Sequence, residues 1–290
     1  MERTVLVTGC STGIGRATAL AFRDAGWEAY ATARDASDVA DLDDRGCRIV
    51  ELDVTDDASV GAAVERAYEE RGRLDCLVNN AGYGQFGPVE DVPMEKVVEQ
   101  FDVNTFGPLR FVHAALPRMR ERGDGTIINV TAGVGGLTLP GIGVYTGSKF
   151  ALESVTDALR QETARSGVDV VIVEPGIVAT DFYDRALDEI ESIDHAPAYA
   201  DLYRALESIG VVQRGGPGVN RPERVAETIV KAATADRPRP TYRVGPVATL
   251  GTYAGGAVRG RIRDAASRFG IGVVSNEWVQ RLLRKRGGSR

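Results

Sequence analysis

The sequence predicts an α/β fold in which one parallel sheet is wound on both faces by helices. Three observations predict it. Short apolar, β-branched runs alternate with segments of helical period. Those runs lack strict apolar/polar alternation, as strands covered on both sides do. The first run ends in a glycine-rich turn that opens directly into a helical pattern. A chain of 290 residues with 43% hydrophobic residues can bury the core this needs, and α/β folds of this size often form one domain.

In chain order, residues 4–8 read as the first strand. They lead into Gly9-Cys10-Ser11-Thr12-Gly13-Ile14-Gly15 and then a helix through Ala17, Leu20, Ala21 and Phe22. Strands at residues 28–33, 48–53, 74–79, 126–130 and 169–174 alternate with helices at 58–70, 105–121 and 145–166. After Pro175-Gly176 the alternation weakens. Residues 182–220 mix acidic helix-like turns with a glycine-rich stretch at 214–218, which predicts a mobile substrate-side insertion. A helix at 222–234 and a strand at 241–244 complete the sheet, and the tail 251–290 ends in Arg281-Leu282-Leu283-Arg284-Lys285-Arg286, the pattern of a solvated amphipathic helix.

Composition excludes several classes. A net charge of −6 gives no broad basic field for a phosphate backbone, so nucleic acid is not the expected partner. Cys10, Cys47 and Cys76 have neither disulfide-framework nor zinc spacing, and are expected to be reduced and buried. His113 and His195 are the only histidines and sit in no ligand cluster, so no metal is expected. The opening MERTVLVTG has no charged leader before an apolar core, and no run of about 18 apolar residues occurs, so a cytoplasmic protein without a membrane span is expected.

A strand that feeds a glycine turn into a helix N-terminus makes an anion site, because unpaired N–H groups and the helix dipole point at the ligand. Diphosphate is the usual occupant. The end of the second strand sets the dinucleotide: an acid there binds the adenine-ribose hydroxyls of NAD, a base accommodates the extra phosphate of NADP. Here Ala33 stands where the acid is expected and Arg34 follows, with Ser11 and Thr12 available from the turn. This favours NADP(H). In the alternative, Arg34 is a surface residue, Asp35 binds the ribose and NAD(H) is used. Tyr145 and Lys149 lie at i and i+4, so on a helix they share a face. A nearby ammonium stabilises a phenolate and lowers its pKa from near 10 toward working pH, making it a general acid/base.

With these motifs in order, the chain resembles the single-domain short-chain dehydrogenase/reductase family over nearly its first two hundred residues. Thr8-Gly9-Cys10-Ser11-Thr12-Gly13-Ile14-Gly15 matches the family's TGxxxGxG cofactor turn, and Asp53-Val54 resembles its adenine contact. Asn79-Asn80-Ala81-Gly82 matches NNAG, Tyr145 to Lys149 matches YxxSK, and Pro175-Gly176-Ile177-Val178-Ala179-Thr180 resembles the PGxVxT segment beside the nicotinamide. The resemblance implies a Rossmann-type three-layer α/β/α fold. Residues 1–245 would be one dinucleotide-binding domain including the 182–220 insertion, and 246–290 a C-terminal substrate-side extension.

It also implies roles. Tyr145 would exchange a proton with a carbonyl or alcohol oxygen, Lys149 would bind the nicotinamide ribose and lower the tyrosine's pKa, and Asn104 would hold a water in a proton relay. The cofactor supplies the hydride. The family's serine, thirteen residues before the tyrosine, falls on Ala132. Three possibilities follow: Thr131 substitutes, the reaction runs with a weaker polar clamp, or cofactor is bound without efficient turnover. An oxyanion donor is worth about 100-fold or more in rate. The expected protein is thus an NADP(H)-dependent oxidoreductase interconverting a small-molecule alcohol and a ketone or aldehyde. VYTGSKFAL resembles the branch of hydroxysteroid and retinol dehydrogenases. Relatives of this kind assemble as homodimers or homotetramers. The alternative is a redox-sensing cofactor-binding protein with little turnover.

Overall fold

The computed structural model describes residues 2–133, 138–213, 218–246, 248 and 249. Within them, strands β1 (Thr4–Val7), β2 (Glu28–Ala33), β3 (Arg48–Glu51), β4 (Cys76–Asn79), β5 (Gly125–Val130), β6 (Val168–Pro175) and β7 (Thr241–Val244) form one sheet. Its order is β3-β2-β1-β4-β5-β6-β7, every pairing parallel. Strand order reverses at β1/β4, the place where an open α/β sheet leaves a crevice outside its carboxyl ends.

The alternation of side chains along each strand divides the core in two. Val5 and Val7 pack with Phe22 of helix α1 (Gly13–Asp24) and Ile229 of helix α8 (Pro222–Thr234), while Leu6 between them faces the opposite side. There it joins Val64 of helix α2 (Asp57–Arg71), Phe111 of helix α4 (Gly107–Arg122) and Leu159 of helix α5 (Gly143–Glu162). The expected doubly wound, three-layer fold is the one observed. Cys10, Cys47 and Cys76 are buried and free, and burial pushes their thiols up, Cys10 to about 12 and Cys47 to about 11.

Two expectations need correction, and a third is sharpened. The helix at 105–121 is the second half of a longer one: α3 (Met94–Phe101) runs through a π-helical turn (Asp102–Phe106) into α4. The helix from Tyr145 stops at Glu162, because Thr163, Ser166 and Gly167 turn the chain; Gly167 has φ +74° and its Cα lies so close to Gly123 that a Cβ would come within 2.1 Å of the Gly123 carbonyl. The 182–220 insertion is helical where described, as α6 (Phe182–Glu191) and α7 (Ala200–Gln213). It is tied down by Lys96 to Glu189 at 2.9 Å, Tyr203 Oη to Asp91 at 2.7 Å and the Ala196 N–H to Asp91 at 3.1 Å. Residues 214–217 and the basic tail lie outside the described residues.

The amino ends of three strands meet on Asp75. Its buried carboxylate accepts from the Thr4 N–H at 2.8 Å, from Arg73 Nε at 2.7 Å and from Arg122 at 3.2 Å, while its own backbone bonds Thr4 and Thr126. Breaking a buried charge pair is strongly destabilising because the remaining partners lose their compensation. Asp75→Ala is therefore expected to lower the unfolding free energy by about 2–3 kcal/mol, the lower end of the buried range because both arginines are partly solvated. Urea titration checks this; an unchanged midpoint would remove Asp75 from the fold's supports.

Candidate active site

The crevice at the sheet reversal is a cleft of about 710 Å³. Of the residues singled out from sequence, Gly9, Ser11, Thr12, Gly13, Ile14, Arg34, Asp53, Val54, Asn80, Ala81, Gly82, Thr131, Tyr145, Lys149, Pro175, Gly176, Val178 and Thr180 all line it. Gly15 and Asn104 stand behind the wall.

The glycine turn is shaped by close approach. A Cβ on Gly9 would meet the Ala81 Cα at 2.8 Å, and one on Gly15 would lie 2.0 Å from the Gly9 carbonyl oxygen and 2.5 Å from Asn80 Nδ2. Gly13 has φ +60°. Thr12 caps α1 in extended conformation without a side-chain hydrogen bond, and no acid occupies the first turn, so the positive helix end opens into the cleft. Asn80 braces the turn by donating to the Thr8 and Gly9 carbonyls at 2.9 and 3.2 Å, and Thr8 Oγ1 accepts from the Asn80 and Ala81 N–H groups at 2.9 Å. This uncapped helix end, with backbone where side chains would block approach, fits a diphosphate.

At the end of β2, Ala33 is buried and Arg34 exposed. Asp35 caps the following 3-10 turn, its carboxylate accepting from Ser37 N–H at 2.8 Å and Ser37 Oγ at 2.7 Å. Asp53 Oδ1 accepts from the N–H and hydroxyl of Thr55 at 2.9 and 2.7 Å. Burial pulls its carboxyl up, but those bonds with Arg34 and Arg110 hold it below the usual range. The 175–180 segment is stapled by Asn220, which sequence reading missed. Its N–H and side-chain amide donate to the Ile177 carbonyl at 2.8 and 3.0 Å, and its own carbonyl accepts from Ala179.

Tyr145 and Lys149 share the buried face of α5, as their spacing predicts. Lys149 Nζ donates to the Val130 carbonyl at 3.1 Å. Asn104, fully buried in the π turn, bonds both backbone groups of Tyr83 at 3.0 and 3.1 Å and donates to Ser148 Oγ at 3.1 Å. A Cβ on Gly82 would fall 2.9 Å from Asn104 Oδ1 and 3.2 Å from Lys149 Nζ, so glycine there keeps the space in front of both groups open. Burial raises Tyr145 well above its ordinary value, with the Tyr183 and Glu153 charges adding to it, and lowers Lys149 to about 8 against the opposing pull of Glu153.

Ala132 and Thr131 both line the cleft. Ala132 packs with the cluster around Tyr145. Thr131 is buried and its hydroxyl, without a partner in strict hydrogen-bond geometry, faces the Glu153 carboxyl. The sequence also gave no sign of an aromatic wall: Phe182 and Phe86 lie 5.3 and 5.8 Å from the Tyr145 ring, with Tyr183 5.3 Å from Phe182.

A family model described as short chain dehydrogenase matches residues 3–190. The chain is 34% identical over 244 residues to a 3-ketodihydrosphingosine reductase of Bacteroides thetaiotaomicron, covering 84% of this chain and 88% of that one. It is 37% identical over 260 residues to human 17-beta-hydroxysteroid dehydrogenase type 1, covering 84% and 77%. Among solved structures, a short-chain dehydrogenase from Streptomyces avermitilis superposes with TM-score 0.78 at 30% identity, covering 97% of this chain and 98% of that one. A serine dehydrogenase complexed with NADP+ gives 0.72 at 26%, covering 84% and 95%. Among the described residues no helix is long and apolar enough to cross a membrane, and no group of His, Cys, Asp and Glu could hold a metal ion.

The glycine geometry makes a test independent of chemistry. Gly15→Ala drives its Cβ into the Gly9 carbonyl and the Asn80 amide and must displace the turn. NADPH and NADH binding, followed by fluorescence titration, is expected to weaken about 10-fold or more for both, on the order of one lost charge-assisted hydrogen bond. Unchanged binding would mean that the turn does not hold the cofactor.

Proposed function

Because the chain belongs to the short-chain dehydrogenase family, whose members are oxidoreductases of CH–OH groups, we propose that it is an NADP(H)-dependent enzyme interconverting an alcohol and a ketone or aldehyde, with Tyr145 as general acid/base. The observation that carries this reading is the convergence of Tyr145, Lys149 and the Asn104–Gly82 corner at the inner end of a cleft whose outer end is an uncapped helix terminus. The nicotinamide, when bound, supplies or takes up the hydride. Glycines 9 and 13 and the Thr12 end of α1 would hold the diphosphate, Asp53 and Val54 the adenine, and Lys149 the nicotinamide ribose. Pro175, Gly176, Val178 and Thr180 would flank the ring.

The state of the tyrosine supports carbonyl reduction. Burial keeps its phenol neutral, and a neutral phenol gives its proton to a carbonyl oxygen as negative charge develops there. Ala132 offers that oxygen no second donor, so the reaction runs with a weaker polar clamp than a serine would give. The wall of Phe86, Phe182 and Tyr183 favours an apolar ketone, in keeping with the long-chain and steroid names of two relatives. For the cofactor, Asp35 is spent on Ser37, which leaves Arg34, Ser11 and Thr12 at the mouth and supports NADP(H) over NAD(H).

Tyr145→Phe is expected to lower kcat by about 100-fold or more in NADPH-coupled reduction of apolar ketones while leaving NADPH affinity within about twofold. Turnover that survives the substitution would sink the mechanism. Arg34→Ala is expected to weaken NADPH about 10-fold or more, the worth of a charge-assisted contact, and to leave NADH nearly unchanged. Equal effects on the two dinucleotides would reverse the assignment.

A further inference from the structure

A substrate reaches Tyr145 only through the cleft, so whatever stands beside the tyrosine on that side bounds the substrate. Two rings pack against its phenol ring: Phe86 at 5.8 Å with an interplanar angle of 59°, and Phe182 at 5.3 Å with 55°. Phe182 lines the cleft and Phe86 does not.

The two rings are held differently. Phe86 is buried in the loop after β4, where Gln85 Nε2 donates to the Phe86 carbonyl at 3.0 Å. On either side of it the Gln85 N–H donates to Gln100 Oε1 at 2.5 Å, and the Gly87 N–H to the Gly141 carbonyl at 2.8 Å. Phe182 is half-buried and opens α6, whose N-cap Asp181 makes no side-chain hydrogen bond. Its N–H reaches Thr180 Oγ1 at 3.4 Å. The ring is seated where Gly84 has no side chain: a Cβ on Gly84 would fall 2.8 Å from Phe182 Cζ and 2.9 Å from Phe86 Cε1. Tyr183 meets it edge-on at 5.3 Å. Two residues earlier, Thr180 lies against the glycine turn, since a Cβ on Gly13 would meet Thr180 Cγ2 at 2.8 Å. Phe182 therefore adjoins the reacting tyrosine, the open cleft and the cofactor segment together.

Resting on the reading of Tyr145 given above, we propose that Phe182 is a specificity-determining residue for the reaction: its ring takes up the space beside the Tyr145 phenol and limits the group that a ketone can carry next to its carbonyl carbon. An unbranched apolar chain fits beside the ring. A carbonyl flanked by branched or ring carbons needs the ring to move, and a ring wedged against Gly84, Phe86 and Tyr183 gives way only by losing those contacts. Of the apolar ketones that suit the aromatic wall, the substrate class is thus the long unbranched chain and not the ring system.

The test uses the full chain, NADPH and two probes: an unbranched aliphatic methyl ketone, and cyclohexyl phenyl ketone, which carries a ring on each side of its carbonyl. The parent is expected to favour the first in kcat/KM, and Phe182→Ala to shift the ratio of the two toward the second by about 10-fold or more, the scale on which an apolar pocket discriminates size. A ratio taken within one preparation cancels any loss of folded protein. Phe182→Leu keeps an apolar side chain without the ring; it should shift the ratio the same way by less, and serves if Phe182→Ala does not fold. Leu187→Ala removes bulk from the same apolar cluster at a residue that does not line the cleft, and should keep the parent's ratio. Ratios within about twofold of the parent in both Phe182 variants overturn the proposal, as does an equal shift in Leu187→Ala. Dissociation constants of the two ketones from the NADP+ complex, measured by fluorescence in Tyr145→Phe with and without Phe182→Ala, should show the same shift without turnover. Turnover in Tyr145→Phe refutes the general-acid assignment, while Phe182 stands or falls on the ratio alone.

Discussion

Helix α5 carries Tyr145 and Lys149, and a file of buried hydrogen bonds across the sheet decides where it sits. Asn79 Nδ2 on β4 donates to Asn129 Oδ1 on β5 at 2.8 Å, Asn129 Nδ2 donates to Thr156 Oγ1 on α5 at 2.8 Å, and Thr156 donates back to the Leu152 carbonyl at 2.6 Å. All three side chains are within 3% of complete burial. An apolar contact tolerates sliding, but an amide left unpaired in this interior costs about 1–3 kcal/mol, so a shift of α5 along the sheet breaks bonds that nothing replaces. On the other side of the helix, Thr105 Oγ1 donates to the Ser148 carbonyl at 2.9 Å and Asn104 donates to Ser148 Oγ. The Tyr145–Lys149 face is thus held by polar groups on two flanks, one from the sheet and one from the π turn.

The π turn explains how Asn104 reaches its place. One extra residue in the turn widens the helix, and such bulges recur at functional sites because they re-aim a side chain without ending the helix. Here the re-aimed amide satisfies both backbone groups of Tyr83, in the loop after β4 that also carries Gly82. Loop, helix and α5 are therefore registered to one another through one side chain, and the gap left by Gly82 is the space they share.

What was legible in the sequence is what is local. The glycine turn, the Tyr145–Lys149 spacing and the Pro175-Gly176 segment each act through neighbouring backbone, so their residue types declare the geometry they require, and strand periodicity gave the sheet. The π turn was not legible, because it is stabilised by Tyr83, which lies 21 residues before Asn104. The aromatic wall joins Phe86 to Phe182 and Tyr183 across nearly a hundred residues, and Asn220 reaches Ile177 across 43. No window spans such pairs. The acidic, helix-like reading of the 182–220 segment was local too: Ala186 and Ile190 at i and i+4 are the buried stripe of a helix whose outer face is solvated.

Desolvation ties these features together. Phe86 and Phe182 pack against the Tyr145 ring, and the burial that raises the phenol also lowers Lys149. Each added aromatic ring strengthens every electrostatic contact inside the cleft and at the same time weakens the ammonium's claim to its proton. By the same reasoning the absence of a hydroxyl at Ala132 weighs more in a dry cleft than in a wet one, because a donor aimed at developing charge is worth more where water is excluded.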